Sequence, residues 1–355
     1  MLTRILHACL VLGTSTLLAQ AEESTIKSPD QGMADSIVYR GIAIKDPEMT
    51  TWGASPFKDE QGKYHLFAAR WPSKLKVEPG WRSHSEIAHF TSDSPLGPFT
   101  FQEVAVAGTG KEGSWEKFAP HNPLIKKFGD TYALIYIART HPSKGHSQRI
   151  GIATSKSLSG PWKRHDQPIL SPAEKEGENW TFKSPCGVNN PAMLQMPDGR
   201  FFLYFKAIPK GTRSTRMGLA IADKLEGPYV IQAEPVTANK VSIEDGYAFL
   251  GKDKKVHFIT TDNHGIIERG GGLHWVSDDG LKFGAPQLAY HRLDHYIKKS
   301  DYPNAKTIYG PGIWKCERPQ ILVEDGQPRY LYAPSGISLD GDGATESHVL
   351  EFTKQ

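Results

Sequence analysis

Four short stretches carry side chains that can move protons or hold a polar ligand: IEDGYAF with Glu244 and Asp245, ERPQ with Glu317 and Arg318, FAPHNP with His121 and Asn122, and VNNP with Asn189 and Asn190. Two carboxyl groups in tandem repel as anions, so one of them keeps its proton toward neutral pH. Glu244 is therefore the candidate proton donor and Asp245 the neighbour that raises it. Glu317 supplies a second carboxylate, and Arg318 beside it can hold either Glu317 or a hydroxyl or acid group of a ligand. His121 is a candidate general base or hydroxyl contact. Two carboxyl groups on opposite sides of a glycosidic bond, with water beneath the sugar, is the arrangement that inverting hydrolysis requires.

These residues lie far apart in the chain, so something must bring them together. An internal repeat does so. A polar residue, usually a Pro, an apolar strand, a Gly or Asp turn and an aromatic-centred second strand recur from Ser55, Asn122, Asn190, Asp245 and Arg318, at intervals of 55 to 73 residues. Each copy reads as a β-hairpin. A second hairpin motif follows, as in SEIAHFTSDSPLGPF, RIGIATSKSLSGPW and RMGLAIADKLEGPY, and the last copy is truncated to SHVLEFTKQ. Two hairpins make a four-stranded antiparallel blade, and five copies predict an all-β, five-bladed β-propeller around a central funnel. The missing outer strand of the fifth blade is supplied by Ser36–Arg40, which closes the ring.

The first strand of each blade lines the channel. The openings therefore form a ring of Ser55, Asn122, Asn190, Asp245 and Arg318, with Ala54, His121, Asn189, Glu244 and Glu317 beside them. Trp52, Trp115, Trp180 and Trp314 lie in loops entering these strands. There their flat faces can stack on the C–H faces of sugar rings. Trp52, Ser55, Trp115, Asn122, Asn189, Asn190, Trp314 and Arg318 are thus the expected substrate contacts. His264, in TTDNHG, is the candidate to contact substrate, or to hold water or a structural Ca or Na ion on the axis.

Composition bounds the partners. The net charge of +3 is too small to argue for nucleic acid. Arg4, the apolar run ILHACLVLGTSTLLA and Ala19-Gln20-Ala21 predict a signal peptide over residues 1–21, leaving 22–355 as one secreted or periplasmic propeller domain without a membrane span. Cys186 and Cys316 remain after cleavage and are expected as unpaired thiols, since no disulfide framework or metal-binding spacing surrounds them. No catalytic metal and no organic cofactor are called for. The oligomeric state is left open.

Over the mature chain the pattern resembles the five-bladed glycoside hydrolases of families 43 and 117. The resemblance rests on the blade order, the Ala-Pro element in FAPHNP, the SLSGPW-type turns and Glu244 in IEDGYAF, which matches the acid of family 43. It implies the propeller, a glycan-sized funnel and Glu244 as acid. Where family 43 carries Asp before the Pro of blades one and three, this chain carries Ser55-Pro56 and Asn190-Pro191. Asp46, His121, Glu317 or the substrate itself must then supply the base. An exo-acting hydrolase of plant or algal glycan is the leading expectation. The alternatives are a catalytically silent glycan-binding propeller and a polysaccharide lyase using His121, a tyrosine and Arg318.

Overall fold

The computed structural model describes residues 32–308 and 312–353, so the signal-peptide segment lies outside the described residues. Five four-stranded antiparallel sheets surround one axis. Their inner strands are Met49–Lys58, Phe118–Phe128, Asn189–Gln195, Glu244–Leu250 and Gln320–Glu324. Each inner strand packs against the next, and the fifth against the first, which closes the expected propeller.

The second strands show why the chain folds this way. Runs such as FFLYFKA (Phe201–Ala207) are buried along their whole length. A sheet covered on both faces needs no polar side, so its strands read as near-continuous apolar runs. Between blades these side chains form four apolar clusters, built on groups such as Leu203, Phe205 and Ile259, or Phe67, Ile125 and Tyr136.

Ring closure follows the sequence reading and extends it. Ile37–Ile44 forms the outer strand of the fifth blade, running from Ile37 opposite Phe352 to Ile44 opposite Ser347. His348 fastens this joint. It is fully buried, with Nδ1 3.1 Å from the Tyr39 hydroxyl of the closing strand and Nε2 2.8 Å from Ser335 Oγ. Two features carried no pattern in the sequence: a short helix over Val77–Ser83 beside the funnel, and a small sheet pairing Lys306–Thr307 with Ile337–Ser338.

Burial lowers the His348 pKa from 6.5 to about 3. Above pH 6.5 both folded and unfolded chains hold this ring neutral. Below it the unfolded chain takes up a proton that the folded chain refuses, so this site costs stability as pH falls from 6.5 toward 3. The His348 ring resonances, followed by NMR, should stay unshifted between pH 7 and pH 5; a titration midpoint near 6 would contradict this account of the joint.

Candidate active site

The funnel is built from one irregularity repeated in four of the five inner strands. In the second blade His121 pairs with Ile137 and Leu124 with Ile135, so Asn122 and Pro123 bulge out of the ladder. The same step separates Trp52 from Ser55, Asn189 from Ala192, and Glu244 from Tyr247. The residue that enters each bulge has a left-handed backbone, Gly53 at φ 62°, Asn122 at 51°, Asn190 at 53° and Asp245 at 61°, and Arg318, just ahead of the fifth inner strand, shares it at 42°. Gly, Asn and Asp adopt this conformation at low cost, whereas Arg does so only under tertiary constraint.

The bulge sorts the site into two tiers. The upper one, Trp52, His121, Asn189, Glu244 and Glu317, forms the wall of a cavity of about 990 Å³. The lower one is a bonded floor. Asn122 Nδ2 donates to Asn190 Oδ1 at 2.7 Å, and Asn190 Nδ2 donates to Asp245 Oδ1 at 2.5 Å. Arg318 lies 3.9 Å from Asp245 and returns to the second blade through the Asn122 carbonyl at 2.9 Å. Fully buried, it closes the floor without lining the cavity.

This register corrects the first blade. Ser55 aligns with Leu124, two residues beyond the ring, and its hydroxyl accepts the Ile125 N–H at 3.1 Å, tying the first blade to the second. The ring position belongs to Gly53, and the wall position assigned to Ala54 belongs to Trp52. The Ser-Pro in blade one masked the offset, because it imitates the Asn-Pro of blades two and three.

The wall carboxylates each meet an ammonium. Lys206 Nζ sits 2.6 Å from Glu244 Oε2, and Lys315 Nζ 2.9 Å from Glu317 Oε1. Burial opposes the charge of Lys206, but Glu244 and Asp245 more than offset it and hold the pKa above its ordinary value. Beneath them Asp245 is pushed up to about 6, by burial first and then by the Glu244 charge. The member of the tandem whose carboxyl is pushed up is thus Asp245 on the floor, where the sequence pointed to Glu244 raised by Asp245.

His121 is fixed in one tautomer. Ser85 Oγ spends its single hydrogen on the Pro120 carbonyl at 2.9 Å, so its contact with His121 Nδ1, also 2.9 Å, is accepted from Nδ1–H. Nε2 is then the unprotonated nitrogen. Burial, followed by the charges of Arg139 and Arg318, holds the ring well below its usual pKa. This suits acceptance of a sugar hydroxyl better than removal of a proton from water.

The aromatic rim differs from the sequence expectation. Trp52 lines the cavity, joined by Trp71 and Trp81, whose rings pack around His121 at 5.7 and 5.2 Å. Trp115 and Trp180 instead stack on Tyr136 and Phe205 inside their blades, in the space left by Gly151 and Gly218. Trp314 is buried against Tyr302. His264 is exposed on a loop and does not line the cavity; its neighbour Asn263 does. That loop is tied by Asp262, whose carboxylate accepts four backbone N–H groups, from Gly265 to Glu268. No group of three or more His, Cys, Asp or Glu side chains among the described residues is placed to hold a metal. Cys316 is buried and Cys186 half-buried on the funnel wall, both unpaired.

Trp71, Trp81, Lys206 and Lys315 escaped the sequence reading. Lys206 had a signal, since it pairs directly with wall residue Asn189 at the end of an otherwise apolar strand. Trp71 and Trp81 had none, because Trp71 lies at the end of the second strand, Tyr64–Pro72, and Trp81 in the helix after it, neither in a segment that enters an inner strand.

No protein-family model matches the chain. Over 240 residues, 64% of its length, it is 30% identical to an extracellular endo-α-(1→5)-L-arabinanase of Thermotoga petrophila. The chain spans about half the length of the curated relatives it matches. Among solved structures it superposes on a family 117 glycoside hydrolase of the marine bacterium Zobellia galactanivorans with a TM-score of 0.65 and 17% identity, covering 89% of this chain and 90% of that one. A thermostable family 43 glycoside hydrolase gives a TM-score of 0.55 and 14% identity over 85% and 88% of the two chains. The fold is the one these hydrolases share.

The floor depends on a missing side chain at Gly53. A Cβ there would lie 2.9 Å from Arg318 Cγ, in a left-handed conformation. Gly53→Ala should therefore destabilise the protein by about 1–2 kcal/mol from the backbone alone. The measurement is the urea midpoint at constant m-value, and an unchanged midpoint would remove Gly53 from the floor.

Proposed function

We propose that the chain is an exported glycoside hydrolase of plant or algal polysaccharide, acting by inversion at the funnel wall. The observation that carries this reading is the wall tier itself: Glu244 and Glu317, from adjacent blades, open onto one glycan-sized cavity with indole faces opposite. Lys206 holds Glu244 Oε2, leaving Oε1 to take up a proton from solvent before each turnover and deliver it to the departing glycosidic oxygen. Glu317, kept beside the Lys315 ammonium, is the group to take a proton from the attacking water. The glycosidic C–O bond breaks as the water oxygen bonds to the anomeric carbon. His121 Nε2 and Asn189 are placed to position sugar hydroxyls.

An exo mode is favoured by the bonded floor, which stops a chain from threading the axis, and by the Val77–Ser83 helix at the rim. The curated relative's name favours an endo mode instead. Export is supported by the leader-like first 21 residues and by the extracellular relative.

Glu244→Gln should lower kcat on natural linkages by about 10²–10⁴-fold, the usual worth of general acid help. On a dinitrophenyl glycoside, whose leaving group needs no proton, it should lose far less. Glu317→Gln should lose on both. The product ladder from arabinan and galactan oligosaccharides separates exo from endo action. Wild-type protein that binds such oligosaccharides but frees no reducing sugar would leave a glycan-binding propeller in place of an enzyme.

A further inference from the structure

The charges around the funnel are unevenly divided. On the fourth and fifth blades the acids are matched: Glu244 by Lys206, Glu317 by Lys315 and Asp245 by Arg318. On the opposite wall, Lys74, Lys76 and Arg82 line the cavity with a single acid, Glu78, which Arg82 holds at 2.6 Å. No carboxylate among the described residues pairs with Lys74 or Lys76, and both are exposed at the mouth. Behind this wall Arg139, itself buried, lies with its guanidinium 4.3 Å from the ring of Trp81. Its charge reaches the cavity surface, because it is one of the two that disfavour a proton on His121. Trp81, between this cation and the sugar, presents a face already engaged by positive charge.

Resting on the hydrolase reading for the position of the scissile bond, we infer that the funnel takes an anionic glycan, with a carboxylate or sulfate group directed at the Lys74–Lys76–Arg82 wall. A sugar held at Glu244 and Glu317 turns its far side to that wall. An anion there meets two unpaired ammonium groups at the mouth of a concave site, whose walls focus the field more than a flat surface does. A neutral sugar leaves both cations without a partner. Carboxylate and sulfate share this chemistry, and the test distinguishes them.

The experiment measures binding to the Glu244→Gln protein by calorimetry, using two matched pairs of oligosaccharides. One pair is pectic, before and after carboxyl reduction; the other is a sulfated algal galactan, before and after desulfation. In one pair the charged member should bind at least tenfold tighter at 50 mM NaCl. That preference should shrink several-fold at 500 mM NaCl, as screening requires, and in the Lys74→Ala/Lys76→Ala double variant. Equal or tighter binding of both neutral members, no binding of either charged one, or a preference indifferent to the double variant would overturn the inference. Cleavage is scored separately with wild-type enzyme. Unselective hydrolysis of neutral chains would sink the anionic substrate and keep the hydrolase, whereas selective binding without cleavage would do the reverse.

Discussion

Everything in the funnel depends on one backbone event, the left-handed residue at the head of each inner strand, which in four of the five starts a bulge. A bulge re-aims the side chains on either side of it. The residue before the bulge is sent to the cavity wall, and the bulge residue to the axis below. Five repetitions give a wall that can vary freely in chemistry and a floor that cannot. The floor must satisfy left-handed φ and also bond around a closed ring. Gly53, Asn122, Asn190 and Asp245 meet the first demand by their type. Arg318 meets the second, reaching from the fifth blade back to the second.

Electrostatics then follow from depth. Asp245 lies on the dry floor, so burial dominates and its carboxyl is pushed up to about 6. Glu244, one residue away, stands on the wetter wall and is paired with Lys206. Adjacent residues in the chain thus occupy different dielectric surroundings, because the bulge rotates one of them away from solvent. The same division explains His121. Ser85 holds its Nδ1–H, and burial together with Arg139 behind the wall and Arg318 in the floor keeps the ring neutral with Nε2 as an acceptor.

The aromatic residues show where one-dimensional reading stops. Four tryptophans preceding inner strands had equal claims on the mouth. Trp115 and Trp180 fill space that Gly151 and Gly218 leave on the third strands of their blades, a contact between segments some forty residues apart. Trp71 reaches the cavity from the end of the strand Tyr64–Pro72 and Trp81 from the Val77–Ser83 helix, whose Gly80 is pressed close to Trp71. Neither outcome has a local signature, since both depend on which surfaces meet.

What the sequence determined by itself was the architecture. Alternating hairpins, five copies and a spare N-terminal strand leave few ways to bury so many two-faced apolar strands, and the propeller is one that leaves only short outer edges. The sequence also named wall residues Glu244, Glu317, His121 and Asn189, because repeat position maps directly onto radial position. The tertiary structure alone decided the register of the first blade, where Ser55-Pro56 mimics an opening that in fact lies at Trp52-Gly53. It alone supplied Lys206 and Lys315 as partners of the acids, and the cationic wall of Lys74, Lys76 and Arg82. Lys206 reaches Glu244 from a neighbouring blade, a contact that only the closed ring makes; Lys315 lies two residues from Glu317, and Lys74, Lys76 and Arg82 share one stretch, but nothing local shows that these segments face the funnel.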